Sequence, residues 1–478
     1  MSLLKILGDE INLSHLNQLP EYSYEYSGEL KALQIKAFNQ EVVKKVIADS
    51  EKAYEGYRRV TAFERSEILF ELSRLLHEHR EVMARIISLE AKKPIKLARA
   101  EVDRTVATLK FSGIEASKLE GETIPLDAAP NGAGRETLVK PEPVGIVYAV
   151  TPFNFPLNLA MHKIGPALAA GNTIIVKPSE KTPFSTLFMN TLFKKSSLPE
   201  NVVQVVTGDG KEITDYVLQQ EEIKKISFTG SVPVGKLIKS KVGLKKLTLE
   251  LGSTSPVYID DVEESLLDEI ASKVINGAFS YNGQVCISTQ KVYIHENIYE
   301  SFVGSMIEKA EALKYGHPLE ENVDYTDLID KNSQERILSW IEEAVNTGAK
   351  LLTGGKKIKG GVTPTLITNV GEQMKLCTQE VFGPVLVVRK IKKEENIVKL
   401  LNSSDNGLNA GIFSNDMKFV MNAANELDYG QVLINDVPTL RFDNMPYSGR
   451  KNSGYGVEGV KYAVREMMQS KMISYNYK

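Results

Sequence analysis

Only two cysteines, Cys286 and Cys377, occur in the 478 residues, so no disulfide framework braces this chain. Its six histidines are scattered and show no metal-ligand spacing. No apolar run approaches the ~20 residues of a membrane span, and "MSLLKILGDEINL" at the start lacks a signal peptide's long apolar core. A formal charge of −3 gives no general attraction to nucleic acid or an anionic membrane. Repeats, low-complexity tracts and a G-x-G-x-x-G fingerprint are missing too. These absences predict a soluble, cytoplasmic protein whose thiols stay reduced, with no membrane and no nucleic acid among its partners and no metal. The length exceeds one compact core and suits two or three domains.

What is present changes character along the chain. Residues 62–92 repeat apolar side chains at i, i+3 and i+4 (Ile68, Leu69, Leu72, Leu75, Leu76, Val82, Ile86, Ile87), so helix is expected there. A second helical stretch, roughly 97–118, carries Arg104. From Val144 short β-branched runs alternate with helical segments: "VGIVYAV", "NTIIVK", "NVVQVV", "KKISFTG" and "KLTLELG". Such alternation predicts βαβ units and an open parallel sheet covered on both faces. A second alternating region, with "TQKVYIH", "PVLVVRKI", "NAGIFS" and "GQVLIND", predicts another α/β unit beyond Gly252. "RETLVKPEPVG" and the tail "SKMISYNYK" have extended character outside both sheets, as an arm or an edge for a partner subunit would.

Ligands of an open parallel sheet sit beyond the carboxyl ends of its strands. One such end, "IIVKPSEKTP", offers Lys177, Ser179 and Glu180. A lysine can hold a ribose hydroxyl or phosphate, and a carboxylate can accept from ribose hydroxyls while repelling a 2′-phosphate, which favours NAD over NADP. A solvated, Ser- and Pro-capped turn explains the same residues. Another end, "SFTGSVPVGKLI", passes from Thr229 into a helix near Pro233, with Gly230 and Gly235 bracketing the turn. A pyrophosphate suits such a helix N-terminus, though strand–turn–helix junctions also use glycines for conformation alone.

Three further positions carry chemistry. Asn154, in "TPFNFPLNL", follows a buried strand, where its amide can donate to an oxyanion or merely shape a Pro-bracketed turn. Glu250 lies inside the apolar run "LTLELG". A buried carboxylate is costly unless paired or neutralised, and a raised pKa is what a general base needs near neutral pH. Cys286, in "NGQVCIS", falls between a helix and a strand, as an inert core thiol or as a nucleophile.

Together with "PFNFP", "GNTIIVKPSEKTP", "LELG", "GQVC", "EVFGPV", "NGLNAGIFS" and "MPYSGRKNSGYGVEG", these pieces run in order over nearly the whole chain. The sequence resembles the aldehyde dehydrogenase superfamily. That resemblance implies an α/β fold with a Rossmann-type cofactor domain (1–124 and 147–252), a catalytic domain (253–446) and an oligomerisation arm (125–146 and 464–478). It implies Cys286 as nucleophile, Glu250 as general base and Asn154 as oxyanion donor. It assigns the cofactor to Thr151, Pro152 and Phe153 after one strand, to Lys177, Ser179, Glu180 and Gly210, and to Thr229, Gly230, Ser231 and Val234. Leu251, Gly252, Glu380 and Phe382 complete that set, the last two at the nicotinamide end. The cofactor is expected to be NAD, with NADP possible, and the assembly a homodimer or homotetramer. Cys377 reads as a small packing residue.

Two departures from the family pattern stand out: "LELGST" replaces the common "LELGGK", and Ser448 replaces a glycine. The C-terminal "RFDNMPYSGRKNSGYGVEG" is similar to lactaldehyde, non-phosphorylating glyceraldehyde-3-phosphate, phosphonoacetaldehyde and sulfolactaldehyde dehydrogenases. Within that subgroup Arg104 matches an anion-binding arginine, and Arg441 lies where a second reaches the substrate mouth. Val285 and Phe155, however, replace an arginine and a tyrosine found in phosphate users. A dianion would then lose a charge-assisted partner, so a small hydroxy- or singly charged aldehyde is expected over a phosphorylated one. Two other classes compete: a CoA-acylating dehydrogenase, which usually lacks the Glu250 base, and a non-catalytic protein that kept the fold.

Overall fold

The computed structural model describes residues 21–22 and 35–477. The reading of "MSLLKILGDEINL", and whatever was expected of 1–20, 23–34 and 478, lies outside the described residues. Among the described residues a short antiparallel pair, Glu21–Tyr22 with Ile35–Lys36, is followed by the helices α1 (Gln40–Tyr57), α2 (Ala62–Glu78), α3 (Arg80–Ala91) and α4 (Ile95–Ala116). A capping box between Thr61 and Glu64 starts α2, satisfying two backbone N–H groups that a helix start would leave open. The helix expected over 62–92 is broken at His79, whose backbone leaves helical values (φ −102°, ψ 16°). The His79 Nδ1–H donates to the Leu75 carbonyl at 2.8 Å, closing α2 and freeing α3 to turn its apolar face inward. Met83, Ile86 and Ile87 on α3 are then fully buried, each worth about 1.5–3 kcal/mol relative to exposure.

After the strand β1 (Arg135–Pro143), the chain builds a sheet from β2 (Ile146–Val150), β3 (Thr173–Lys177), β4 (Val203–Val205), β5 (Ile223–Thr229) and β6 (Lys246–Glu250). These five run parallel in the order β6-β5-β2-β3-β4. The connecting helices are α5 (Asn158–Ala170), α6 (Phe184–Lys195), α7 (Gly210–Leu218) and α8 (Val232–Lys241). Every residue of α5 and β3 is buried, as a sheet covered on both faces demands. Strand order reverses between β2 and β5, so a crevice opens beyond Val150 and Thr229.

The second sheet comprises β7 (Pro256–Ile259), β8 (Lys291–His295), β9 (Lys350–Thr353), β10 (Thr365–Thr368), β11 (Val385–Ile391), β12 (Asn409–Phe413) and β13 (Gln431–Ile434), in the order β9-β10-β11-β8-β7-β12-β13. Only β9 is antiparallel to its neighbour. Helices α9 (Leu267–Phe279), α10 (Tyr299–Glu311), α11 (Lys331–Asn346) and α12 (Met417–Glu426) accompany it. The chain then returns to the first sheet: β14 (Gly454–Tyr455) pairs antiparallel with β6, setting Gly454 opposite Glu250. A helix, α13 (Val460–Glu466), follows. Finally β15 (Met468–Asn476) pairs antiparallel with β1 over nine residues as a two-stranded ladder outside both sheets. The fold is thus α/β, with two largely parallel sheets. No helix among the described residues is long and apolar enough to cross a membrane, and no group of three His, Cys, Asp or Glu there could hold a metal ion.

Candidate active site

Beyond the carboxyl ends of the first sheet lies a cleft of about 1200 Å³ that runs to Cys286. Three loops deliver its chemistry. The loop after β2 carries Asn154, buried before α5. Its Oδ1 accepts from the Phe155 N–H at 3.1 Å, and its Nδ2 donates to the Gln284 carbonyl at 3.0 Å. One of the two Nδ2 hydrogens is committed to Gln284, leaving one for a ligand oxygen. Because Gln284 stands two residues before Cys286, the amide and the thiol are tied together.

The second loop follows α9. Tyr281, Asn282 and Gly283 take successive left-handed conformations (φ 50°, 57° and 67°). Two non-glycine residues there are strained, and the surroundings hold them. The Tyr281 hydroxyl donates to the Ala91 carbonyl at 2.6 Å, while Asn282 accepts from the Thr326 N–H and donates to the Asp327 carbonyl, both at 2.9 Å. This sharp turn raises Cys286 into the cleft, half-buried, with Sγ 3.1 Å from the Tyr447 hydroxyl. Burial pushes the Cys286 thiol up to about 11, while Tyr447 and the Arg441 guanidinium pull the other way.

The third position, Glu250, ends β6. Both carboxylate oxygens are buried without a hydrogen-bond partner among the described residues. Burial, with the nearby Glu458 charge, raises its pKa well above the ordinary carboxylate range. Glu458 is the opposite case. Burial works against its charge, but Lys163 at 3.0 Å and Arg441 at 2.9 Å hold it well below that range. Arg441 also stacks its guanidinium over the Tyr447 ring at 3.8 Å. Tyr447, Lys163 and Glu458 were not singled out from the sequence. Only the juxtaposition of α5, the 441–447 loop and residue 458 reveals them, although "MPYSGRK" and "YGVEG" hold two of the three.

The rest of the cleft suits a dinucleotide. Each residue assigned to the cofactor above lies on its wall. The Thr151 and Thr229 hydroxyls are buried without partners among the described residues, as groups awaiting a polar ligand would be. Ser231 opens α8 without a side-chain cap of its own. Lys177 and Glu180 form an ion pair, and burial lowers the lysine's pKa while Glu180 opposes it. A Cβ on Gly210 would stand 2.8 Å from the Glu180 carboxylate, and one on Gly252 would run into the Glu380 carboxylate. Glu380 accepts from the Ser253 N–H at 3.2 Å, and burial pushes its pKa up to about 7. Phe382 meets Phe153 edge-on, with centroids 5.6 Å apart. These open hydroxyls and closely packed glycines fit a nicotinamide dinucleotide.

Of the four expected substrate contacts, only Arg441 lies on the cleft wall. Arg104 instead makes a two-point ion pair with Asp443 (2.7 and 3.1 Å), and Asp443 also accepts from His162 at 2.8 Å. Phe155 packs against Tyr281 and the Lys93 ammonium, and Val285 packs beside Ile287, Leu408 and Tyr447. Each of the three is claimed by a neighbour inside the fold.

Residues 24–473 match the aldehyde dehydrogenase family, and the chain belongs to that family: it is an oxidoreductase that acts on aldehydes with a nicotinamide cofactor. It is 41% identical over 445 residues to 3-sulfolactaldehyde dehydrogenase of Priestia aryabhattai, covering 93% of this chain and 92% of that relative. Lactaldehyde dehydrogenase of Methanococcus aeolicus is 36% identical over 477 residues, covering 99% and 100% of the two chains. Among solved structures, glyceraldehyde-3-phosphate dehydrogenase GapN from Methanocaldococcus jannaschii, complexed with NADP, superposes with a TM-score of 0.88 at 38% identity, over 93% of this chain and 96% of that one.

Proposed function

We propose that the protein oxidises a small polar aldehyde, of the lactaldehyde or glyceraldehyde type, to its carboxylic acid through a thioester on Cys286. The observation that carries this reading is the meeting of Cys286, Asn154 and the unpartnered Glu250 carboxyl in one cleft. As a thiolate, Sγ adds to the aldehyde carbon, and the carbonyl electron pair moves onto oxygen. The free Asn154 Nδ2–H and the Cys286 backbone N–H receive that oxyanion; losing one such donor typically costs about 10²–10³ in rate. When held in this cleft, a nicotinamide would supply the acceptor for the hydride that leaves the thiohemiacetal carbon as the thioester forms. Glu250 then takes a proton from water as the water oxygen bonds to the acyl carbon. The C–S bond breaks, the acid leaves, and the thiol is restored. Thr151, Pro152, Phe153, Leu251, Gly252, Glu380 and Phe382 would hold the nicotinamide end; Lys177, Ser179, Glu180, Gly210, Thr229, Gly230, Ser231 and Val234 would hold the ribose and phosphates.

The substrate assignment rests on charge. Arg104 faces Asp443 and Arg441 faces Glu458, so each cation already has a counter-ion within the chain. That arrangement favours a neutral hydroxy-aldehyde or a monoanion over a phosphate dianion, and relatives named for lactaldehyde and sulfolactaldehyde agree with it. The phosphorylated alternative draws on the similarity to GapN. Glu180 favours NAD, whereas two similar structures are NADP complexes. We assign the first sheet to the cofactor, the second to catalysis, and the β1–β15 ladder to oligomerisation. Two free thiols suit a reducing cytoplasm.

The test is cofactor reduction by both nucleotides with lactaldehyde, glyceraldehyde, glyceraldehyde-3-phosphate, succinate semialdehyde and aliphatic aldehydes. The expected result is free acid formed without CoA, lost in Cys286→Ala, with greatest efficiency on an unphosphorylated polar aldehyde. Product that requires CoA, or a strong preference for glyceraldehyde-3-phosphate, defeats the corresponding part.

A further inference from the structure

Two of the loops that line the cleft, those carrying Asn154 and Lys177–Glu180, lead into helices without side-chain caps of their own. Neither α5 nor α6 has an N-cap side-chain hydrogen bond, although a helix start leaves N–H groups that need acceptors. Both are capped from elsewhere by buried carboxylates on α3 and α4. Glu101 Oε1 accepts from the N–H groups of Leu157 (3.0 Å) and Asn158 (3.1 Å) at the start of α5. Glu90 accepts from Phe184 (2.7 Å) and Ser185 (3.0 Å) at the start of α6. Asn154 stands three residues before the first pair, and Glu180 four before the second.

Between the two carboxylates sits Lys93, fully buried and paired with Glu101 through its other oxygen. Its ammonium also lies 3.8 Å from the Phe155 ring centroid and 4.6 Å from that of Tyr281. The corner between α3 and α4 thus reaches the thiol loop as well, because Tyr281 donates to the Ala91 carbonyl and opens the turn that carries Cys286. A buried ion pair is a poor source of net stability, since desolvation offsets most of its Coulomb gain. Here its geometry is spent on anchoring loops.

We infer that Glu101 and Glu90 are positioning residues for separate halves of the site: Glu101 with Lys93 sets the Asn154 oxyanion donor, and Glu90 sets the Lys177–Glu180 cofactor loop. This rests on the proposed roles of Asn154 and of that loop. The two carboxylates act on different kinetic constants, which a merely structural pair would not do.

The test compares Glu101→Leu/Lys93→Met, which leaves no lone buried charge, with Glu101→Gln, Glu90→Leu and Asn154→Ala. Each is assayed for kcat, both KM values, cofactor Kd and Tm. The double variant is expected to lose kcat by about 10- to 100-fold, the range for a misplaced catalytic group, while cofactor Kd moves less than about twofold. Glu90→Leu is expected to weaken cofactor binding by about tenfold and to lower kcat at saturating cofactor far less. Glu101→Gln, which keeps an acceptor, should recover most of the rate, and Glu101→Ala/Lys93→Leu, which also removes both acceptor and charge, replaces the double variant if that one unfolds. The inference is overturned if the Glu101 and Glu90 variants shift the same constants together, or if only Tm falls. Loss in Asn154→Ala without loss in the Glu101 variants overturns the positioning role alone. No loss in Asn154→Ala removes the oxyanion assignment beneath it and the Glu101 half with it.

Discussion

A thiol pushed up to about 11 leaves Cys286 mainly protonated at neutral pH, while burial raises the Glu250 carboxyl well above its usual range. The reactive thiolate is then a small fraction that grows about tenfold per pH unit below the pKa. Alkylation of Cys286 by iodoacetamide in the free enzyme should therefore accelerate steeply between pH 7 and pH 9, about tenfold per unit. A rate that is flat over this interval counts against the buried-thiol picture. Glu380 supports a stability prediction. Its folded pKa of about 7 exceeds the unfolded value, so its contribution is fully present below about pH 4.3 and is lost as pH rises through 7. Glu380→Gln should be the more stable protein at pH 8, by up to about 3 kcal/mol, and equal to wild type near pH 4.5. Denaturant titrations at both pH values measure this, alongside the loss of cofactor-dependent activity. Cys286, Glu250 and Asn154 stand out in the sequence because each breaks its local pattern: a rare thiol, a charge in an apolar run, an amide between prolines. Tyr447 and Glu458 break nothing locally, and Lys163, a charge inside a helix that is buried throughout, shows no counter-ion in its own segment. Their significance comes only from tertiary contact.

Among the elements, the turn at Tyr281–Gly283 places three successive residues in the left-handed region. Gly283 has φ +67°, and a Cβ there would strike the Gly383 carbonyl, next to Phe382, itself at φ 48°. The thiol loop and the Glu380–Phe382 loop therefore meet backbone to backbone. Gly283→Ala is expected to cost about 1–3 kcal/mol from backbone strain and to lower kcat and cofactor affinity together, read from Tm and steady-state kinetics. The strands of the first sheet were legible because their β-branched runs are flanked by glycine, proline and polar residues. β7, β9 and β10 span only four residues each, too short for a period of two to emerge. The break at His79 was hidden for the opposite reason: the apolar repeat continues across it, and a single ring-to-carbonyl bond ends the helix.

At the scale of the molecule, the β1–β15 ladder stands apart from both sheets. Its outward residues include Leu138, Met472 and Tyr475, exposed at 38%, 61% and 49%. A lone two-stranded ladder is marginal in water, so a second copy of the chain is expected to cover it. Leu138→Glu/Met472→Glu should shift the protein to a smaller species in light scattering, with little change in the far-ultraviolet spectrum; an unchanged mass would place the subunit contact elsewhere. The extended character of both strands was readable in the sequence. Their pairing was not, because more than three hundred residues separate them.

The return of β14 to the first sheet bears on how the enzyme is made. The edge beside Glu250 is closed by Gly454, Leu251 donates to the Ser453 carbonyl at 2.9 Å, and Lys163 finds its counter-ion only at residue 458. During synthesis the thiol leaves the ribosome well before Tyr447 exists to meet it, and the first sheet keeps an open flank throughout that interval. A nascent or prematurely terminated chain therefore carries a cysteine with no working site around it. The pocket around Cys286 and Glu250 is complete only when residues 447–458 have docked.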